Sequence, residues 1–531
     1  MKFFFGMHPE ATRVWRSSLF SVRMLSLIMA SVAFSIVLWV TAPPGPGVDP
    51  SSASYLGAAQ SLVDGHGYRV PTARWDAPDS TAPLTHYPPG FSTAIALPVA
   101  MGFPPLQGAR LVEALSAFVT MAVLVALVGD AVGMGAAAAF AVALLLMPLM
   151  VDLHLMVLSE PLFLALMALT LATMVAAPET PIAAGVCATA ALAVRYTGIG
   201  VVAGTVVWAM MGRGSLKARL QRGALAILPT FLLGVAWFWV AGASGGSAIR
   251  RLGLYGGLDG ALSDGGATIA QWLVPTSGAT AWVWWAALPA VIVVGAVFTA
   301  GVRRARRLWR LLPRNLPIQS STNVPQMVAA RVLGAGAVLG SSYAAALIAA
   351  RLFADGSFTF DARLMSPLLM IASLAFAVSA ATWWRSAGRW PRTGLAVLLL
   401  AWGAASLVAT RSRVHESLTY GLDFSSDAWR GSPVLEWVRA DGGRRPMYSN
   451  WPSLPYLYLD RPARGVPASG DAATLRAFGA GVAAGDGVVL VFRVDNPAFV
   501  TGDSLVAGSG LRVLASFPGG RVLGRAAEPA R

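Results

Sequence analysis

The chain has 531 residues, of which 56% are hydrophobic and only 12% are charged. Because charged residues make up about 25% of an ordinary soluble domain, this composition excludes a soluble globular protein. The formal net charge of +15 would suit a nucleic-acid-binding protein, but the basic residues cluster in short loops between apolar runs. That distribution is the positive-inside signature of a polytopic membrane protein, and it predicts no nucleic-acid partner.

The first apolar run, Met24 to Val40, follows three arginines and ends at a polar loop. It resembles a signal peptide, but Pro43 stands where cleavage would occur. We therefore predict an uncleaved first membrane helix with a cytoplasmic N-terminus. The loop from 43 to 90 is then extracytoplasmic.

This first loop contains residue types that suit a reaction centre. Asp49 precedes Pro50 at the start of a helical pattern, so it is predicted to cap that helix. A cap holds its carboxylate rigidly, and the same carboxylate can act as a general base. Tyr55 follows within the helix, and His86 and Tyr87 stand at the far end of the loop.

The stretch between the first loop and residue 212 allows two arrangements. Five single crossings would place residues 152–160 in the cytoplasm. Alternatively, 91–107 only dips into the membrane and the run 182–211 breaks at Arg195, which places 152–160 outside. An arginine in the middle of a membrane helix costs roughly 2.5–3.5 kcal/mol, so the break at Arg195 is favoured.

Basic loops at 213–222, 303–314 and 385–392 predict the orientation of the later segments. With these loops in the cytoplasm, residues 353–361 and everything after Arg411 lie outside. The whole pattern predicts about 11 to 13 membrane helices in a multi-pass protein of the plasma (inner) membrane.

Beyond Arg411 the apolar runs shorten and turn residues interrupt them. A helix is predicted at 434–440 and short strands at 446–449, 487–494 and 511–517. We therefore predict a transmembrane domain of residues 1–411, which includes the loop 43–90. Residues 412–531 are predicted to form a small extracytoplasmic soluble α/β domain.

Two further polar stretches fall on the predicted outer side. Their ionisable members are Asp152, His154, Glu160, Asp361 and Arg363. A guanidinium group at the end of a membrane helix can be an interfacial anchor. Beside a lipid phosphate it would instead donate two parallel hydrogen bonds to the phosphate oxygens. The histidines on this side lack the paired spacing of a metal site, so neither a metal nor another cofactor is predicted.

Taken together, these motifs resemble the GT-C superfamily of polytopic glycosyltransferases that use polyprenyl-phosphate sugars. The branch concerned is the bacterial one related to aminoarabinose transferases and protein mannosyltransferases. The resemblance covers residues 20–370 and rests on short motifs in a particular order. They are Asp49 with Tyr55, Ala59 and Gly65, then Tyr87-Pro88-Pro89, Ser159-Glu160-Pro161, Arg195-Tyr196-Thr197-Gly198, and Asp361-Ala362-Arg363 with Pro367.

The resemblance implies transfer of a sugar from a polyprenyl-phosphate donor to a glycan, lipid or protein acceptor outside the cytoplasm, with inversion if displacement is direct. Asp49 would be the general base and Glu160 a second active-site carboxylate. Many relatives have a lysine where this chain has Tyr87, so the donor phosphate would be bound mainly by Arg363. Assisting phosphate ligands would be Arg195, His86 and Tyr87. Contacts to the substrate would come from Tyr55, Asp152, His154 and Asp361.

A secondary transporter or flippase of a lipid-linked or anionic substrate is the alternative. Such proteins tend to have inverted repeats and ionisable residues at the bilayer midplane. In this sequence the ionisable residues stand at helix mouths and no repeat is visible, which favours the transferase. The transferase hypothesis requires that Asp49, Glu160 and Arg363 share one extracytoplasmic cavity.

Overall fold

The computed structural model describes residues 9–212, 214–243, 253–255, 257–275, 303, 323–354, 359–441 and 445–525. The chain divides into two compact units. The helical unit comprises Met1–Val40, Val112–Val240 and Ser247–His415, and the sheet unit comprises Thr41–Leu111, Ala241–Gly246 and Glu416–Arg531. The predicted cytoplasmic loop at 303–314 lies outside the described residues, apart from Arg303.

Helices dominate the described part of the chain. In chain order they are α1 (Pro9–Val40), α2 (Pro50–Val63), α3 (Gly90–Ala100), α4 (Pro105–Val132), α5 (Met134–Leu146), α6 (Pro148–His154), α7 (Glu160–Ala176), α8 (Ile182–Val194), α9 (Ile199–Met211), α10 (Leu216–Ala243), α11 (Asp259–Leu273), α12 (Asn323–Phe353), α13 (Ala362–Trp384), α14 (Arg389–Tyr420), α15 (Asp427–Arg430), α16 (Pro433–Asp441), α17 (Ser453–Leu459), α18 (Ala472–Ala484) and α19 (Gly502–Gly508). A 3-10 turn, Tyr196–Gly198, separates α8 from α9.

Among the described residues, six helices are long and apolar enough to cross a membrane. They lie within α1, α4, α10, α12, α13 and α14. Helices α5 and α6 meet at a bend of 60° and would together make a seventh span. The chain is therefore a multi-pass membrane protein, as its composition predicts.

Between the first loop and residue 212, the helices have the lengths and the break that the second arrangement predicts. In that arrangement 91–107 does not cross the membrane and 182–211 is interrupted at Arg195. Helix α3 has 11 residues, so it is roughly 16 Å long and too short to cross a bilayer core of about 30 Å. The run 182–211 is broken where predicted, because Arg195 has an extended backbone (φ −145°, ψ 135°) between two helices. Only glycine fits at Gly198, where a Cβ would lie 2.5 Å from the Cα of Leu192. The side of the membrane on which 152–160 lies stays a prediction.

Close helix packing brings several helix ends together in the helical unit. Helix α9 packs against α12, α7 packs against α8, and α12 and α7 both contact α13. The contact between α9 and α12 depends on Gly200, where a Cβ would lie 2.7 Å from the Cα of Tyr343. Small residues that let helix backbones approach are the usual basis of packing between membrane helices.

The sheet unit contains the small α/β region that the sequence predicts. Its strands are β1 (Arg69–Val70), β2 (Thr72–Ala73), β3 (Ala82–Pro83), β4 (Met447–Ser449), β5 (Ala463–Gly465), β6 (Val488–Phe492), β7 (Arg512–Phe517) and β8 (Gly520–Gly524). The main sheet has the order β2-β5-β4-β6-β8-β7, with the first four strands parallel and the last two pairings antiparallel. Strand β6 is entirely buried, which is why it reads as a continuous apolar run.

One strand of this sheet comes from the first loop. Thr72 in β2 pairs in parallel with Ala463 in β5, and Trp75 packs edge-on against Phe478 with ring centroids 5.9 Å apart. Strands β4, β6 and β7 and helix α16 confirm the predicted elements of the C-terminal segment. The first loop is thus folded together with that segment, a feature that no local pattern in the sequence indicates.

Candidate active site

Asp49 occupies the N-cap of α2, as the Asp-Pro pattern predicts. Its Oδ1 accepts hydrogen bonds from the Ser51 hydroxyl (2.6 Å), from the Ser52 backbone N–H (2.8 Å) and from the Ser52 hydroxyl (2.9 Å). The backbone N–H of Asp49 donates in return to the Ser52 hydroxyl at 3.0 Å, which completes a capping box. The carboxylate is therefore held in one orientation.

The aromatic residues of the first loop lie close to one another. The ring of Tyr55, which is 4% exposed, is 4.9 Å from the ring of Tyr87 and 5.0 Å from that of Phe91, measured between centroids. The ring of His86 is 4.6 Å from that of Tyr87. Packing of α2 on α3 thus joins the two ends of the loop. Of the predicted site residues, the structure brings Tyr55, His86 and Tyr87 together here.

A second group of predicted residues meets in the helical unit. Glu160 is 2% exposed, and its Oε1 receives Arg195 Nη1 at 2.8 Å and Arg363 Nε at 2.7 Å. Arg195 Nη1 also donates to the hydroxyl of Ser159 at 3.0 Å. We call these four residues the glutamate–arginine cluster. Arg363 joins it from 203 positions away in the chain.

Each member of the cluster stands at the end of a helix. Glu160 is the first residue of α7, where the partial positive charge of the helix N-terminus favours a carboxylate. Arg195 occupies the break between α8 and the 3-10 turn. Arg363 lies in the first turn of α13, whose N-cap is Asp361; the Asp361 carboxylate accepts from the Leu364 N–H at 2.8 Å. Helix ends thus position all three charged side chains without a flexible loop.

Tyr343 supports the cluster from α12 and was not predicted. Its side chain is fully buried, and its hydroxyl donates to the Leu364 carbonyl at 3.0 Å and lies 3.4 Å from the Thr197 hydroxyl. It therefore connects the start of α13 to the 3-10 turn that follows Arg195. A lone tyrosine inside an apolar run gave no signal of this role.

The charges of the cluster favour an anion. Two guanidinium groups face one carboxylate, and the Arg363 side chain is 40% exposed whereas that of Arg195 is 17% exposed. Arg363 is thus the member that a ligand can reach. Guanidinium groups bind phosphate oxygens through strong, charge-assisted hydrogen bonds. The cluster can accordingly hold a phosphate group while Glu160 keeps both arginines in place.

Glu113 is a further buried acid that the sequence reasoning missed. It is 1% exposed in α4, and its Oε1 accepts from the Leu158 N–H at 3.0 Å. Its Oε2 has no hydrogen-bond partner among the described residues. Glu113 therefore ties the segment before Glu160 to α4. A usable signal was present, because an ionisable residue within a membrane helix points to a functional site.

We expect Glu113→Gln to be tolerated and Glu113→Ala to destabilise the protein. The glutamine carbonyl can still accept from the Leu158 N–H, whereas alanine leaves that buried donor unpaired at a cost of about 1–3 kcal/mol. Thermal unfolding in detergent measures the difference. Glu179→Gln is the matched control, since the Glu179 side chain is 72% exposed. Equal stability of the alanine and glutamine variants at position 113 would show that the hydrogen bond contributes nothing.

Two predicted substrate contacts are paired outside the cluster. Asp152 Oδ1 receives Arg413 Nε of α14 at 3.1 Å, and His154 Nδ1 is 2.6 Å from the Met150 carbonyl of its own helix. Substrate roles for these residues stay predictions. Among the described residues, no group of three or more histidine, cysteine or acidic side chains is placed to hold a metal ion.

Asp49 belongs to the sheet unit, and the glutamate–arginine cluster belongs to the helical unit. The expectation that they share one cavity therefore stays a prediction.

The chain is similar in structure to the arabinofuranosyltransferase AftD from Mycobacteria, with a TM-score of 0.55 and 16% sequence identity over 95% of this chain and 40% of that one. ArnT from Cupriavidus metallidurans in the apo state matches with a TM-score of 0.43 and 14% identity over 94% of this chain and 97% of that one.

The similarity to AftD concerns the fold alone, because the sequence identity is low. The chain spans 40% of the length of the arabinofuranosyltransferase. No protein-family model and no curated protein sequence matches the chain. The predicted fold class, a polytopic helical membrane protein with a small C-terminal α/β region, is confirmed.

Proposed function

We propose that the chain is a membrane glycosyltransferase that transfers a sugar from a polyprenyl-phosphate donor to an acceptor outside the cytoplasm. The proposal rests mainly on the glutamate–arginine cluster, in which two arginines meet one buried carboxylate at adjacent helix ends. The structural similarity to the arabinofuranosyltransferase AftD supports the same class of reaction. The acceptor is a hydroxyl group of a glycan, a lipid or a protein.

The reaction we propose is a direct displacement at the anomeric carbon. The bond between that carbon and the phosphate oxygen breaks, and a bond to the acceptor oxygen forms from the opposite face, so the configuration inverts. The acceptor proton passes to Asp49, and the departing polyprenyl phosphate takes the bonding electrons. A phosphate is already a good leaving group, so positioning, proton removal and charge stabilisation suffice.

Arg363 is proposed as the main ligand of the donor phosphate. As the more exposed arginine of the cluster it can form a fork with phosphate oxygens, and Arg195 adds positive charge behind it. Glu160 acts as the second active-site carboxylate by holding both guanidinium groups in position. In this scheme it is a positioning residue, because its Oε1 already accepts from both arginines.

Asp49 is proposed as the general base. Three hydrogen bonds to its Oδ1 fix the carboxylate, which reduces the cost of orienting it for proton transfer. His86, Tyr87 and Tyr55 form one packed group in the same unit and are proposed to contact the donor or the acceptor. Asp361 supports Arg363 through the cap of α13, and Asp152 and His154 retain their proposed contacts to substrate.

A polytopic protein of the plasma membrane with a cytoplasmic N-terminus and an extracytoplasmic C-terminal segment suits this chemistry. The donor reaches the site through the bilayer, so no nucleotide-binding loop is required. We propose no metal, other cofactor or nucleic acid as a partner.

The decisive experiment offers radiolabelled polyprenyl-phosphate sugars to the purified protein in detergent. We expect labelled sugar to appear on an added glycan, lipid or peptide acceptor, because transfer needs no membrane compartment. A secondary transporter or flippase would show no transfer under these conditions and would instead move labelled lipid across reconstituted vesicles. Movement without transfer, over a panel of donors, would overturn the proposal.

A further inference from the structure

A basic cavity of about 340 Å³ lies in the sheet unit, lined by residues that have no part in the proposed transfer reaction. Three arginines from separate elements line it: Arg476 of α18, Arg512 of β7 and Arg525 directly after β8. Arg512 pairs with Gly524, the residue before Arg525, across the β7–β8 ladder. The cavity is thus built from long-range contacts and does not follow from one run of basic sequence.

The lining of the cavity contains no acidic residue. Arg476 and Arg512 make no hydrogen bond or ion pair within the part of the chain that the structure describes. Other arginines of this unit are paired, for example Arg69 with Asp79 at 3.2 Å and Arg521 of β8 with Asp503 at 3.1 Å. The guanidinium groups of Arg476 and Arg512 repel one another, and a bound anion would remove that repulsion.

Apart from Leu511, the rest of the cavity wall consists of glycine, alanine and serine residues. A Cβ on Gly479 would lie 1.8 Å from the Ser509 carbonyl oxygen, so α18 approaches the turn at 509–510 as closely as backbone allows. Gly510 has a φ of +70°, in the left-handed region that favours glycine. The small residues of the turn and the helix therefore leave the cavity open between them.

We propose that this cavity is a binding site for a phosphate group. A phosphate offers three or more oxygens and up to two negative charges to three guanidinium forks, whereas a carboxylate offers two oxygens and one charge. The volume is at the lower end of the range for small-molecule sites, which suits a phosphate together with the group that carries it. The phosphate comes either from a soluble ligand or from a lipid headgroup.

The test uses the full chain in detergent at low ionic strength, with inorganic phosphate as the probe in calorimetric titrations. The double variant R476Q/R512Q removes two guanidinium groups, and Arg493→Gln is the matched control because Arg493 is an exposed arginine of the same unit outside the cavity. We expect the dissociation constant at this site to rise at least about tenfold in the double variant and to stay unchanged in the control. Unchanged unfolding temperatures will establish that both variants are folded.

A second titration distinguishes the two sources of phosphate. Dihexanoyl phosphatidylglycerol is compared with dihexanoyl phosphatidylcholine, both below their micelle concentrations. Phosphatidylglycerol binding that exceeds phosphatidylcholine binding and is weakened in R476Q/R512Q assigns the site to an anionic headgroup. Inorganic phosphate binding that the same variant weakens, without any preference for phosphatidylglycerol, assigns it to a soluble ligand. If the wild type and R476Q/R512Q bind every probe equally, the proposal is wrong. Sugar transfer should be unaffected by R476Q/R512Q, so this result is independent of the proposed function.

Discussion

The substitution Asp49→Asn is expected to lower the turnover number for sugar transfer by about 10²- to 10⁴-fold, the usual contribution of a general base. The asparagine carbonyl oxygen can still accept the three hydrogen bonds that Oδ1 accepts from Ser51 and Ser52. Asparagine is also a good N-cap, so α2 should stay intact. Initial rates with labelled donor, together with thermal unfolding, measure the two effects separately.

Comparison of Asp49→Asn with Asp49→Ala separates the loss of the general base from the loss of the helix cap. Asp49→Ala removes both the base and the cap, so it should lose transfer as Asp49→Asn does and also lose roughly 0.5–2 kcal/mol of stability. Ser52→Ala removes one hydroxyl donor to the carboxylate and should retain most of the activity. Wild-type turnover in a folded Asp49→Asn protein would reduce Asp49 to a structural cap and remove the proposed base.

The substitution Arg363→Gln is expected to reduce kcat/KM for the polyprenyl-phosphate donor by about 10²-fold or more. The guanidinium group is proposed to stabilise the charge that develops on the departing phosphate, and loss of one such group typically costs 10²- to 10³-fold in rate. Glu160 keeps its 2.8 Å ion pair with Arg195 in this variant, so the fold should survive. Arg363→Lys keeps the charge without the fork and should recover only part of the activity.

Arg195→Gln is the informative contrast within the same cluster. Its side chain is less exposed than that of Arg363 and also donates to Ser159, so its loss removes a partner from nearly buried Glu160. Glu160 then keeps only its pair with the more exposed Arg363, so we expect the loss of part of the roughly 3–5 kcal/mol that an uncompensated buried charge costs. We therefore expect Arg195→Gln to lower the unfolding temperature strongly and Arg363→Gln to lower it little. Unchanged donor kinetics in Arg363→Gln would exclude Arg363 as the phosphate ligand.

Several features of this protein could be predicted from the sequence because they depend on neighbouring residues. The membrane class follows from the balance of apolar and charged residues, and the cap at Asp49 follows from its proline neighbour and the helical pattern behind it. The break at Arg195 follows from the cost of an arginine in mid-helix. Strands β4, β6 and β7 follow from short apolar runs between turn residues.

The partners of these residues could not be predicted in the same way. Arg363 reaches Glu160 across 203 positions, Arg413 reaches Asp152 across 261, and β2 of the first loop joins a strand near residue 463. Local patterns specify where a helix or a strand begins and ends, but the packing of whole helices and the pairing of strands decide which ends meet. By itself the sequence determined the membrane class, the helix breaks and the residues able to do chemistry. Only the tertiary structure decided that Glu160 holds two arginines, that Glu113 and Tyr343 support them, and that three further arginines surround a separate cavity.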